Sequence, residues 1–91
     1  MKPYVVNLNN NPAPPYVYVG RSNGELYSPW GNPFVVGVHG TRTEVITMYE
    51  KWLLGDAALM ARLPELKGAV LACWCAPLPC HADVLLRLAN Q

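Results

Sequence analysis

The sequence predicts a small α/β domain in which a short, largely parallel sheet is flanked by about three helices, Rossmann-like in outline. Three observations support this fold class: short β-branched and aromatic runs in the first half, helical periodicity after residue 41, and a continuous apolar run over residues 69–75. A chain of 91 residues has room for one core, so residues 1–91 are expected to form a single domain.

The first half of the chain predicts short strands separated by loops. Residues 4–8 alternate in hydrophobicity and residues 16–19 are β-branched and aromatic, so each run predicts a strand. Residues 20–33 contain too many glycine, proline and asparagine residues for a helix and predict an irregular loop. Tyr27 and Trp30 are unusual in so polar a loop, which indicates that it folds back on the core or lines a ligand pocket.

A helix is predicted to begin at residue 41. Thr41 and Glu44 match a capping box, in which each side chain accepts a hydrogen bond from the free backbone N–H of the other residue. Gly55 suits the end of this helix. The apolar stripe expected to face the core consists of Val45, Met48, Tyr49, Trp52 and Leu53.

The last third of the chain predicts two further helices on either side of a buried strand. Asp56 can cap a short helix over residues 57–63, which Pro64 ends or kinks. Residues 69–75 are uniformly apolar, as expected of a central strand covered on both faces. Residues 81–89 show helical spacing and predict a final helix packed on the sheet.

Composition and charge exclude several classes of protein. The chain is 52% hydrophobic and 14% charged, which argues against disorder, and its net charge of +1 provides no broad basic surface for nucleic acid. No apolar leader or membrane-spanning run is visible, and an odd number of cysteines is unusual in an oxidising compartment, so a cytoplasmic location is expected. The high hydrophobic content is also compatible with a homodimer.

Chemistry-bearing residues concentrate around one turn, where all three cysteines and one of the two histidines lie close in sequence. Cys73 and Cys75 leave the same face at a strand end, whereas Cys80 and His81 stand at the start of the following helix. In open α/β sheets, ligands bind outside the carboxyl ends of the strands. A ligand site is therefore expected at this turn, with Trp74 on the opposite strand face and in the core.

Three interpretations of this cluster stay open. Three thiolates and an imidazole suit a structural zinc ion, but Cys-X-Cys and adjacent Cys-His pairs must bend sharply to reach one ion, so no metal or cofactor is predicted. In a reactive site, the helix end would favour the Cys80 thiolate, His81 would carry a proton, and Asp83 would meet a sugar hydroxyl or orient the imidazole. Alternatively, Cys73 and Cys75 are small core residues and the histidine covers the helix.

The ordered motifs of the chain resemble a known family. The most specific strings are Trp-Gly-Asn-Pro-Phe at residues 30–34 and Cys-Trp-Cys-Ala-Pro-Leu-Pro-Cys-His at residues 73–81. With residues 18–21, 40–46 and 63–68 they span nearly the whole chain and are similar to the small bacterial and phage proteins of domain of unknown function 4326. The resemblance brings no established activity. It implies a free-standing α/β domain with one site that gathers Gly20, Arg21, Trp30, Gly31, Asn32, Pro33, Cys73, Cys75, Cys80 and His81.

These features predict that the protein recognises a small polar ligand, foremost a nucleotide or nucleoside. The pocket would be formed by the loop at residues 20–34 and the turn at residues 73–81. Arg21 is expected to contact an anionic group, and Tyr27 or Trp30 to stack on a ring. The other expected ligand contacts are Gly20, Asn32, Cys73, Cys75 and Asp83.

The sequence leaves the activity open. In an enzymatic reaction, Cys80 or His81 would act as the nucleophile or the proton carrier. The chain contains neither a GxGxxG nor a P-loop string, so a nucleotide site of those types is not predicted. The alternative function is a non-enzymatic, zinc-stapled module that binds a protein partner, such as a host protein if the gene is phage-encoded.

Overall fold

Three short parallel strands and three helices make up the fold in the computed structural model, which describes residues 4–22, 26–76 and 78–91. The elements in chain order are β1 Val5–Asn7, β2 Val17–Tyr18, α1 Arg42–Leu54, α2 Ala57–Arg62, β3 Leu71–Cys73 and α3 His81–Ala89, with 3₁₀ segments at Leu8–Asn10 and Leu63–Leu66. The predicted α/β class is therefore confirmed.

The sheet is built around β3. Its strand order is β1-β3-β2, both neighbours pair with β3 in parallel, and Val5 and Val17 both lie opposite Leu71. All three residues of β3 are buried, which explains why this part of the sequence is uniformly apolar. Parallel pairing also brings the carboxyl ends of the three strands to one edge of the sheet.

The central strand is shorter than its apolar run. β3 ends at Cys73 rather than continuing to residue 75. Beyond that point, the Asn7 side-chain amide donates hydrogen bonds to the carbonyl oxygens of Trp74, at 3.1 Å, and Ala76, at 2.9 Å. These bonds from the end of β1 hold the chain in a turn, so the cysteine cluster lies on a turn and not along a strand.

Helix α1 begins at the predicted capping box. The Thr41 hydroxyl accepts from the Glu44 N–H at 3.2 Å, and the Glu44 carboxylate accepts from the Thr41 N–H at 2.9 Å. Val45, Tyr49 and Leu53 form its buried stripe, as the periodicity predicted. The helix ends at the predicted glycine.

The predicted helix α2 is present, but it ends one residue earlier than predicted. The Asp56 carboxylate accepts from the Leu59 N–H at 3.0 Å, and the helix ends at Arg62. Pro64 lies in the first turn of the following 3₁₀ segment, where a backbone N–H would have no partner within the helix. The α-helix therefore ends before Pro64, and the chain continues as a tighter 3₁₀ helix.

Helix α3 has the predicted bounds and packs against α1, the 3₁₀ segment before β3, and the sheet. Its inner face contains Val84, Leu85 and Ala89, all of which belong to one core cluster with Leu71 of β3. An ion pair between side chains of α1 and α3 joins the two helices at the surface. No described helix combines the length and apolar character that crossing a bilayer requires.

Candidate ligand-binding site

A cavity of about 410 Å³ lies at the carboxyl edge of the sheet. The segment after β2, the start of α1, the turn after β3 and the start of α3 all contribute to its walls. The glycine-arginine and cysteine segments, far apart in sequence, therefore meet around one cavity. The predicted site residues that line it are Gly20, Arg21, Asn32, Cys73, Cys75, Cys80 and His81.

The loop after β2 is held over this edge by Arg21. Its guanidinium donates from Nε to the Asn32 carbonyl at 2.8 Å and from Nη2 to the Phe34 carbonyl at 3.0 Å. The buried Asn32 side chain in turn donates to the Val45 carbonyl of α1 at 3.4 Å and accepts from the Phe34 N–H at 2.9 Å. Arg21 and Asn32 thus shape the cavity wall as well as lining it.

Two glycines allow the loop to approach itself closely. A Cβ atom at Gly31 would lie 2.8 Å from the Arg21 Cα, and a Cβ at Gly20 would lie 2.5 Å from the Tyr18 hydroxyl. Both separations are shorter than van der Waals contact allows. A larger residue at Gly31 would push against backbone and displace the loop, whereas one at Gly20 would push the Tyr18 ring aside. The close approach gives a physical reason for Gly-Arg and Trp-Gly-Asn in the sequence.

An aromatic pair forms one wall of the cavity. The Trp74 indole N–H donates to the Tyr18 hydroxyl at 3.0 Å, and this hydroxyl donates to the Arg21 carbonyl at 2.6 Å. The expectation that Trp74 is a core residue is wrong: it is 45% exposed. Because β3 ends one residue earlier, the alternation of a strand does not apply to Trp74.

The two aromatic residues expected to stack on a ligand are placed elsewhere. Trp30 is only 2% exposed and belongs to the core, where its carbonyl accepts from the buried Tyr49 hydroxyl at 2.7 Å. Tyr27 is 81% exposed and is not among the residues that line the cavity. Trp30 anchors the loop by packing in the core. The tryptophan that faces the cavity is Trp74.

Arg42 is a cavity residue that sequence reasoning missed. It is the first residue of α1, and its guanidinium donates from Nη1 to the Pro79 carbonyl at 3.1 Å, across the turn that carries the cysteines. The sequence signal that could have identified it was its position directly after Thr41, the predicted N-cap of α1. With Arg21 it gives the cavity two guanidinium groups, and none of the described residues that line the cavity is acidic.

The three cysteine sulfurs converge at the base of the cavity. The Sγ atoms of Cys73, Cys75 and Cys80 all lie within 4.8 Å of one another, and all three are free thiols. The sequence indicated that a Cys-X-Cys pair must bend sharply for its sulfurs to reach one point, and the chain makes that bend. The turn after β3 bends the chain enough to bring Cys75 back toward Cys73.

The structure favours a thiolate at Cys73 and not at Cys80. The Cys80 thiol donates to the Cys73 sulfur at an Sγ–Sγ distance of 3.5 Å. This bond, with backbone N–H donation, lowers the pKa of Cys73 to about 6. The same bond, with burial, raises the pKa of Cys80. The sequence argument placed the thiolate at the helix start, but the neighbouring sulfur and desolvation outweigh the helix end.

His81 is held as a neutral imidazole. Its Nε2 atom lies 2.6 Å from the Val19 carbonyl oxygen and its Nδ1 atom lies 3.4 Å from the Cys80 Sγ. A carbonyl can only accept, so Nε2 carries the proton, and in the neutral form the Nδ1 lone pair faces the Cys80 sulfur. Burial lowers the pKa of His81, consistent with the neutral form.

Asp83 has a local role. Its carboxylate accepts from the Cys80 N–H at 2.9 Å, which caps the start of α3, and Asp83 does not line the cavity. Of the predicted site residues, Asp83 therefore positions the helix start that carries Cys80 and His81. Sequence reasoning identified its place in the first turn and not its partner.

The parallel sheet, the cavity at its carboxyl edge and the thiol cluster define a small α/β domain with a cavity at its strand ends. Within that class, the chain belongs to the family described as Domain of unknown function (DUF4326), whose model matches residues 6–91. The resemblance seen in the sequence is confirmed.

Two uncharacterized viral proteins are similar to the chain. The uncharacterized protein R718 of Acanthamoeba polyphaga mimivirus is 32% identical over 85 residues, which cover 79% of this chain and 65% of the relative. The uncharacterized 12.4 kDa protein in the nrdA-td intergenic region of Enterobacteria phage T4 is 32% identical over 66 residues, which cover 68% of this chain and 60% of the relative. The chain thus spans somewhat less than two thirds of the length of these relatives. No solved structure matches it.

Proposed function

We propose that the cavity binds a small anionic ligand that carries an aromatic ring, and that this ligand is a nucleotide. The observation that carries the proposal is the pair of guanidinium groups, from Arg21 and Arg42, that line the cavity where no described lining residue is acidic. Two cations in a cleft whose described lining contains no carboxylate favour an anion over a neutral or cationic ligand.

With respect to the part of the chain that the structure describes, both arginines keep donors free for a ligand. A guanidinium has five N–H donors in a planar fork. Arg21 uses Nε and Nη2 on two backbone carbonyls, and Arg42 uses Nη1 on one. The remaining N–H groups can bind phosphate oxygens in the paired geometry that arginine favours. The carbonyl bonds also fix the two side chains before a ligand arrives, which reduces the entropy lost on binding.

Trp74 supplies the surface for the ring. It is 45% exposed at the cavity wall, and its indole is oriented by the hydrogen bond to Tyr18. A held indole face can stack on a base at little conformational cost. The cavity volume of about 410 Å³ lies within the range of about 300–1,000 Å³ that small-molecule sites occupy.

A thermal-shift comparison tests this proposal. Adenosine 5′-monophosphate and uridine 5′-monophosphate are compared with adenosine, uridine and inorganic phosphate at equal ionic strength. The monophosphates are expected to raise the unfolding midpoint more than the nucleosides or inorganic phosphate do. Only the monophosphates engage both the arginines and Trp74. At a ligand concentration of 100 times the Kd, the stabilisation is about 2.7 kcal/mol.

Arg42→Gln is the decisive variant, because it removes the charge while keeping a good helix former at the start of α1. Its nucleotide Kd is expected to rise about tenfold to hundredfold, as for the loss of a hydrogen bond to a charged group. Arg62→Gln is the matched control, since Arg62 pairs with Glu65 outside the cavity. The proposal fails if no nucleotide shifts the midpoint, or if the two variants bind equally well.

A further inference from the structure

We propose that Cys73, Cys75 and Cys80 bind one Zn²⁺ ion at the base of the cavity. Thiolates are the ligands that zinc prefers in proteins, and these three sulfurs lie within 4.8 Å of one another. The proposal does not depend on the nucleotide proposal, because it concerns a different ligand held by different atoms.

The sulfur separations match one tetrahedral ion. With zinc–sulfur bonds of about 2.3 Å, two sulfurs in a tetrahedron lie about 3.8 Å apart. The Cys73 and Cys80 sulfurs are 3.5 Å apart, and Cys75 completes a set with no separation above 4.8 Å. The three sulfurs therefore lie within about 1 Å of the separations that one tetrahedral ion requires.

The backbone holds the three sulfurs in place through contacts that do not involve them. Cys73 is fixed by its position at the end of the central strand β3. Cys75 sits in a turn closed by the Leu78 N–H donating to its carbonyl at 2.9 Å, and the Asn7 amide binds the carbonyls on either side of it. Cys80 is the N-cap of α3. The site is therefore largely preformed.

The surroundings favour negatively charged sulfur. The Cys75 N–H donates to the Cys73 sulfur at 3.4 Å, and hydrogen bonds of this kind stabilise a thiolate. Each cysteine that is protonated before binding releases its proton to solvent as the zinc–sulfur bond forms. A zinc ion with three thiolates carries a net charge of −1, because three negative sulfurs surround one divalent cation.

His81 does not oppose a cation beside the sulfurs. Its Nε2–H is bound to the Val19 carbonyl, and its Nδ1 lone pair lies on the Cys80 side. A neutral imidazole adds no positive charge that would repel a bound cation. The three sulfurs form the proposed ligand set, and His81 is a neutral neighbour.

Zinc binding is measured on the reduced, full chain. A chelator first removes bound metal, and Zn²⁺ is then added back. We expect one zinc ion per chain by elemental analysis, a higher unfolding midpoint with Zn²⁺, and loss of that shift when chelator is added. Co²⁺ should give the charge-transfer absorption of thiolate ligands. Substoichiometric zinc at saturation, or bound Co²⁺ without thiolate absorption, would overturn the proposal.

Cys75→Ser tests the ligand assignment, because Cys75 is the least buried of the three and a serine fits its place. The zinc Kd should rise by more than about a hundredfold, beyond the loss seen when only a partner of a ligand is removed. Leu78→Ser is the control: it is in the same turn, is 55% exposed and offers no sulfur. Circular dichroism of both variants verifies folding. Equal zinc binding by the two variants would refute the assignment.

Discussion

Gly31 shows how one residue determines the position of the loop that closes the cavity. A Cβ at this position would lie 2.8 Å from the Arg21 Cα, a backbone atom that cannot rotate away. We therefore expect Gly31→Ala to reduce the free energy of unfolding by about 1–3 kcal/mol, as overpacking does elsewhere. Urea denaturation followed by tryptophan fluorescence measures the change.

Gly55→Ala is the matched control for this prediction. Gly55 has an ordinary φ of −87°, and a Cβ there would come no closer than 3.6 Å to another heavy atom. The unfolding free energy of Gly55→Ala should stay within about 0.5 kcal/mol of the wild-type value. Equal losses in the two variants would show that the close approach to Arg21 is not the cause.

The cysteines show that a residue's chemistry depends on its neighbours in space. The helix start alone would favour a thiolate at Cys80, yet its thiol donates to Cys73 and is buried. The pKa of Cys73 is consequently the one that is lowered, to about 6. A sequence pattern places these sulfurs on elements, but the hydrogen bond between them, the backbone donors and burial set their relative pKa values.

At the level of the element, the capping box of α1 makes the stability of the protein depend on pH. Hydrogen bonding to the Thr41 backbone and hydroxyl lowers the pKa of Glu44 below its ordinary value of 4.5. The charged carboxylate therefore stabilises the fold above pH 4.5, and this contribution is lost as the pH falls through the folded-state pKa. Glu44→Gln should show a smaller loss of unfolding midpoint than the wild type on acidification, measured by circular dichroism.

Thr41→Ala provides a comparison at the same cap. It removes the hydroxyl that accepts from the Glu44 N–H and should cost about 1 kcal/mol at neutral pH. Thr47→Ala, in the interior of the same helix, should cost less, because its hydroxyl only bonds back to the Thr43 carbonyl. If the unfolding midpoint of Glu44→Gln fell on acidification as much as that of the wild type, Glu44 would not be the source of the pH dependence of stability.

For the whole molecule, stability depends on one core in which α3 is central. Leu85 is fully buried between helices and sheet. Leu85→Ala should lower the unfolding free energy by about 2–5 kcal/mol, a large part of the roughly 5–15 kcal/mol typical of folded domains. Leu54→Ala is the matched control, since Leu54 is a helical leucine that is 51% exposed.

These two leucine variants are compared by circular dichroism and tryptophan fluorescence during urea denaturation. With one core, both signals should shift together in Leu85→Ala and hardly move in Leu54→Ala. A Leu85→Ala transition in which helix signal and fluorescence separate would contradict the single-core interpretation.

The sequence by itself determined the local elements and the fold class. The capping box at Thr41 and the bounds of α3 depend on interactions within a few residues, so the local sequence predicts them. The central strand β3 is predicted by its uniformly apolar run, because a strand covered on both faces has no polar positions. The right-handed crossover preference and the buried central strand then leave few ways to arrange the sheet. The meeting of the Gly20–Arg21 and Cys73–His81 segments follows from parallel strands sharing one carboxyl edge.

Only the tertiary structure decided which side chains face the cavity. Trp74 faces it and Trp30 does not, because β3 ends at Cys73 while the loop after β2 buries Trp30 in the core. Arg42 joins the site from the start of α1 through its bond to Pro79. Such placements depend on the path of the backbone between distant elements, and the alternation of side-chain directions holds only as far as the strand extends.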